Sequence, residues 1–98
     1  MAFKLCFADR AKIELRGLEA NKTHAKRLKT VRNALGRLQS NPRHPGLKAH
    51  KYSSLSGPDG EEIFEADAES NTPATYRIFR FYGPGKKEIT IVAITQHP

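Results

Sequence analysis

The chain has 98 residues and 17 Lys and Arg against 10 Asp and Glu, a formal net charge of +7. That length supports one core of modest depth and no second domain. No apolar run approaches the roughly 20 residues needed to span a bilayer, and Met1-Ala2-Phe3-Lys4 lacks the apolar stretch of a secretion signal, so the chain reads as soluble and cytoplasmic.

Lys4 to Ala8 is expected to form a short first strand, with Asp9 as the N-cap of a helix that runs to about Ala20. Asn21-Lys22-Thr23 breaks that helix, and Thr23 can cap a second. In the second helix Leu28, Val31, Leu35 and Leu38 recur at spacings of three and four, which defines one buried face. Its other faces carry Lys26, Arg27, Lys29, Arg32 and Arg37, so the helix packs on something and presents a basic surface. Ser40-Asn41-Pro42 stops it, and Arg43 to Lys48 forms a basic connector with two prolines nearby.

His50-Lys51-Tyr52 begins an extended segment. Gly57-Pro58-Asp59-Gly60 is a turn, and Glu62 to Ala68 a strand with partial alternation. After a polar loop at 69–73, Ala74 to Tyr82 reads as a strand that turns through Gly83-Pro84-Gly85-Lys86, a type II pattern. Glu88 to Gln96 is almost continuously apolar or β-branched, as suits a central strand covered on both faces. The expected fold is α+β: an N-terminal strand and a helix pair on one face of a small, mostly antiparallel twisted sheet, in a single domain over 1–98.

Residues 1–51 hold 13 basic residues against Asp9, Glu14 and Glu19, a net +10, whereas 52–98 hold 4 basic against 7 acidic, a net −3. Such asymmetry favours a polyanionic partner, since nucleic acid repays each neutralised phosphate through counterion release; a solvated helical surface is the plain alternative. Cys6 is the sole cysteine, which excludes an internal disulfide, and its place between Leu5 and Phe7 suits a small core residue. His24, His44, His50 and His97 show no ligand spacing and no companion thiols, so neither a metal nor another cofactor is expected. There is no nucleophile elbow, phosphate loop or dinucleotide fingerprint.

Arg77 shares a strand face with Thr75, Phe79 and Phe81, while Arg80 faces the other way with Tyr76 and Ile78. A guanidinium held among aromatic residues binds phosphate through paired hydrogen bonds; the structural alternative is an ion pair with Glu65 on the adjoining strand. His97 is expected to end the last strand, and a histidine can donate or accept a proton near neutrality, although chain termini fray. His44, Lys48, His50 and Lys51 in and after the connector can meet a phosphate chain. Tyr52, Tyr76, Phe81 and Tyr82 offer faces for base stacking, or belong to the core.

Taken together, Phe7-Ala8-Asp9, the helix end at Leu38-Gln39-Ser40-Asn41-Pro42, Tyr76-Arg77-Ile78-Phe79 and Ile94-Thr95-Gln96-His97 resemble the RelE/ParE superfamily of type II toxins, within it the RelE, YoeB and HigB branch. The resemblance spans nearly the whole chain and implies a toxin that cuts messenger RNA on the ribosome without metal. By that resemblance Arg77 stands at the phosphate-binding arginine and His97 at the catalytic histidine. His44 and Lys48 stand near the positions of a general base and a basic residue. Lys26, Lys29, Arg32, Arg43, His50, Lys51 and Tyr82 are then expected to contact RNA, and a small acidic antitoxin to cover the basic groove.

The chain departs from the pattern where Glu65-Ala66-Asp67 replaces Glu-Leu-Arg, putting an acid in place of a basic active-site residue, and it stops at Pro98 without a C-terminal helix. Two alternatives share the fold: a ParE-like inhibitor of DNA gyrase, and an inactive relative that only binds its partner.

Overall fold

The computed structural model describes residues 2–68 and 76–96. Strand β1 (Lys4–Phe7) leads into helix α1 (Asp9–Ala20), a single 3₁₀ turn (Lys22–His24) and helix α2 (Ala25–Ser40). A second 3₁₀ turn (Pro45–Leu47) precedes β2 (His50–Ser56), β3 (Glu62–Asp67), β4 (Tyr76–Tyr82) and β5 (Glu88–Gln96). The five strands form one sheet in the order β1-β5-β4-β3-β2, antiparallel except where β1 runs parallel to β5. The expected α+β architecture is therefore present, with the helix pair on one face. No described helix is long and apolar enough to cross a membrane.

Each helix packs through the stripe its sequence encodes. Ala11 and Leu18 of α1, with Val31, Ala34, Leu35 and Leu38 of α2, are buried against Ala66, Ile78, Ile89, Ile91 and Ile94 of the sheet. Leu47 is also fully buried there and anchors the connector to the core. The opposite sheet face holds a second, smaller cluster of Ile63, Phe79, Phe81 and Ala93, with Tyr52 and Val92 against it.

A register shift between Phe79 and Arg80 reconciles the two clusters. Phe79 pairs with Ala93, but Arg80 pairs with Ile91, leaving Val92 as an extra residue on β5. Ile91 and Ile94 thereby both reach the helix side, while Val92 and Ala93 both join the other cluster. Beside the bulge, Glu14 of α1 accepts a hydrogen bond from the Ile94 amide at 2.8 Å, fastening the helix to the strand it covers.

Several local details differ from the sequence reading. Ala8 takes the N-cap position of α1, placing Asp9 in its first turn, where the carboxylate faces the helix dipole. Thr23 lies in the 3₁₀ turn, and Asn21 caps that turn by accepting from the Thr23 amide at 3.0 Å. The turn after β4 is not type II, because the positive φ of 126° falls at Gly83 instead of Gly85. There the Gly83 amide donates to the Glu88 carbonyl at 2.8 Å, and Glu88 Oε1 accepts from the Gly85 amide, also at 2.8 Å. Cys6 is half-buried on β1 instead of fully enclosed.

Candidate functional site

On the sheet face away from the helices, β2, β3 and β4 bring four ionisable side chains into two cross-strand pairs. The register sets His50 opposite Glu65 and Asp67 opposite Arg77. Both pairs are bonded: His50 Nε2 shares a hydrogen bond with Glu65 Oε1, and Arg77 Nη1 donates to Asp67 Oδ1. The expected ion-pair alternative for Arg77 was Glu65, but the register puts Asp67 directly opposite, and Glu65 is engaged by His50 instead.

Arg77 and Asp67 are 22% and 12% exposed, so their attraction is only partly screened. Arg77 Nε is buried without a hydrogen-bond partner. The guanidinium is thus fixed by its neighbour, with one buried donor left unmet.

His50 carries two oxygen contacts on one ring. Nδ1 lies 3.0 Å from the Lys48 carbonyl and Nε2 meets Glu65, so the imidazolium, which donates at both nitrogens, is favoured. Its pKa is raised, chiefly by the Lys48 carbonyl and further by Glu65, while burial and the charge of Arg77 act against this. The last influence ties the two pairs into one electrostatic unit. Beside them lies a hollow of about 370 Å³ bordered by Arg10, Tyr52, Phe79, Thr95 and Gln96. The Tyr52 ring stands edge-on to Phe79 at 5.1 Å.

The connector faces the other side. The α2 end, the connector and the ends of β3 and β4 enclose a cleft of about 1000 Å³ whose lining includes Arg43, His44, Lys48, His50, Lys51 and Tyr82. His44 Nδ1 accepts from the Gly46 amide at 3.0 Å, and Lys48 adopts a left-handed φ of 49° as the turn ends. Gly46 permits this fold-back, since a Cβ there would come within 3.0 Å of His44 Nδ1.

Of the residues expected to do chemistry, Arg77 therefore stands in the open-face quartet, and His44 and Lys48 line the cleft. His97 lies outside the described residues. Of the expected RNA contacts, Arg43, His50, Lys51 and Tyr82 gather at the cleft, whereas Lys26, Lys29 and Arg32 are exposed on α2. Arg32 reaches across to Glu19 of α1 at 2.9 Å.

The sequence sets Asp67 where the resemblance has a basic active-site residue and offers Glu65 as a partner for Arg77, but gives Arg80 no role in a site. Arg80 is fully buried and lines the cleft. A charged residue between Ile78 and Tyr82 on an otherwise apolar strand face was the signal available. Among the described residues no group of three or more His, Cys, Asp or Glu is arranged to hold a metal ion.

This helix pair on a five-stranded sheet is the fold of the RelE/ParE toxins. A YoeB/ParE toxin from Agrobacterium tumefaciens superposes with a TM-score of 0.71 over 97% of this chain and 99% of that one, at 10% identity. The archaeal RelE of a RelE-RelB complex from Pyrococcus horikoshii gives 0.65 over 98% and 96%, at 13% identity. The YoeB dimer from Staphylococcus aureus gives 0.64 over the full length of both chains, at 15% identity. No protein-family model matches the sequence, and no curated protein matches it either.

Proposed function

We propose that this protein is the toxin of a toxin-antitoxin pair and cleaves messenger RNA on the ribosome without a metal. The observation that carries the reading is the open-face quartet on a RelE/YoeB-like sheet, where a fixed guanidinium sits beside a titratable histidine. Arg77 binds the scissile phosphate, exchanging Asp67 for phosphate oxygens, and stabilises the charge that builds on them.

The ribose 2′-oxygen loses its proton as it bonds to phosphorus, the bond to the 5′-oxygen breaks, and that oxygen takes a proton. His50 in its neutral form accepts the first proton, in the role considered above for His44 or Lys48, and becomes the imidazolium that Glu65 stabilises. His97, next in sequence after the end of β5, donates the second. The products are a 2′,3′-cyclic phosphate and a 5′-hydroxyl. Lys26, Lys29 and Arg32 hold the protein on ribosomal RNA, and the work is done in the cytoplasm.

Complexes of related folds, the archaeal RelE-RelB assembly and the intact E. coli RelBE toxin-antitoxin complex, support an antitoxin as partner. The basic first half of the chain suits an acidic one. The test of the chemistry is a translating ribosome programmed with messenger carrying a single 2′-deoxy residue at the mapped cleavage position. Cleavage is expected to stop at that position alone, and persistence there refutes attack by the 2′-oxygen.

One observation favours a second reading. Because Asp67 already occupies Arg77, a protein in which that pair never opens binds its partner and cuts nothing. It predicts growth and intact messenger on expression of the wild type.

A further inference from the structure

Arg80 is as deeply buried as any residue of the core, with 0% of its surface exposed. Its Nε and Nη1 have no hydrogen-bond partner, and it enters no ion pair among the described residues. Its surroundings include the Phe64 ring, 5.9 Å from Cζ, and the Tyr82 side chain at the cleft. A buried cation with unmet donors is costly to hold unless an anion completes it.

The cleft above it is lined by further basic groups, among them Arg43, Lys48, Lys51 and Lys86, and by no Asp or Glu among the described residues. Lys51 is partly engaged by Glu62 outside the cleft, at 3.2 Å.

We propose that this cleft is a second phosphate site, which holds a backbone phosphate of the RNA strand whose scissile phosphate sits at Arg77; the assignment rests on the RNA-cleaving reading. Three features favour a nucleic-acid phosphate over a carboxylate of a protein partner. Several basic side chains converge, more than one carboxylate neutralises, and phosphate offers enough oxygens to meet a guanidinium fork and lysines together. Tyr82, 40% exposed at the mouth beside Phe3 and Phe64, adds an aromatic surface for a base. His50 lines the cleft yet bonds Glu65 on the opposite face, so both sites meet at the edge strand β2, over which one strand can pass. Arg80 is enclosed in the free protein, so a phosphate oxygen reaches it only as the Tyr82 side chain at the cleft mouth turns aside.

The test titrates a fully 2′-O-methylated oligoribonucleotide into the protein while following the arginine Nε–H resonances by NMR. The Arg80 resonance is expected to shift in the wild type and equally in Arg77→Ala. Affinity is expected to fall about five- to thirtyfold in Arg80→Met, with the slope of log affinity against log salt reduced by about one. Arg43→Gln and Lys48→Gln, both at exposed positions, provide the same readout without touching the core, and thermal melting verifies the fold of each variant.

An Arg80 resonance that stays fixed at saturating RNA, or unchanged affinity in all three variants, overturns the proposal. So does a shift produced by a polyglutamate peptide and not by RNA, which marks a protein-binding cleft. An equal shift from inorganic phosphate with no gain in affinity from the oligonucleotide also overturns the strand assignment. Cleaving wild type with a silent Arg80 removes this site and leaves the function; a responding Arg80 without cleavage does the reverse.

Discussion

Replacing Asp67 with asparagine removes the charge that holds Arg77 while keeping a side chain of nearly the same shape. Two unit charges about 4 Å apart attract by about 4 kcal/mol at an effective dielectric constant near 20. At 22% and 12% exposure the pair is screened by solvent on one side, and a net value of about 1–2 kcal/mol is the appropriate scale. A phosphate that binds Arg77 must first displace Asp67, so removing this competitor is expected to tighten RNA binding about 5- to 30-fold. The assay is fluorescence anisotropy of a non-cleavable oligoribonucleotide at fixed salt, with Arg77→Ala as the weak reference. The lost ion pair is expected to lower stability by about 1–3 kcal/mol, measured by urea unfolding. Equal or weaker binding by a folded Asp67→Asn protein refutes the claim that Asp67 competes with phosphate.

The raised pKa of His50 makes a signed prediction about stability. Because the folded value lies above the unfolded one, its contribution is complete below about pH 6.5 and is lost as pH rises through the raised folded value. His50→Gln should therefore destabilise the protein more at pH 5.5 than at pH 8.5 in paired urea titrations; an equal loss at both removes the argument. Leu38→Ala empties a fully buried position on α2 and is expected to cost about 2–5 kcal/mol, seen as a lower urea midpoint. Joint replacement of Lys26 and Lys29 by glutamine should weaken ribosome co-sedimentation at physiological salt by severalfold without lowering the melting temperature, since both are exposed on α2.

Much of the architecture was legible because periodicity reports burial directly. The spacing of Leu28, Val31, Leu35 and Leu38 marks the packed face of α2, and the apolar run from Ile89 marks β5 as an inner strand. The extra residue at Val92 was not legible, because apolar residues on both sides of it satisfy either face. The partner of Arg77 was half legible: Glu65 and Asp67 share a strand face, and only the β3–β4 register chooses between them. Alternation put Arg80 on the face away from Arg77, but its full burial beside a cleft bordered by the connector comes from a long-range fold-back that no local pattern encodes. The same fold-back sets His44 and Lys48 in the cleft, which their proximity to Arg77 in an expected site did not anticipate.

The most direct measurement is inducible expression in bacteria of the wild type beside Arg77→Ala, with messenger 5′ ends mapped on translating ribosomes. The account predicts growth arrest and new in-frame 5′-hydroxyl ends from the wild type, with neither in the variant. Arrest without new ends, or identical ends from both proteins, contradicts it.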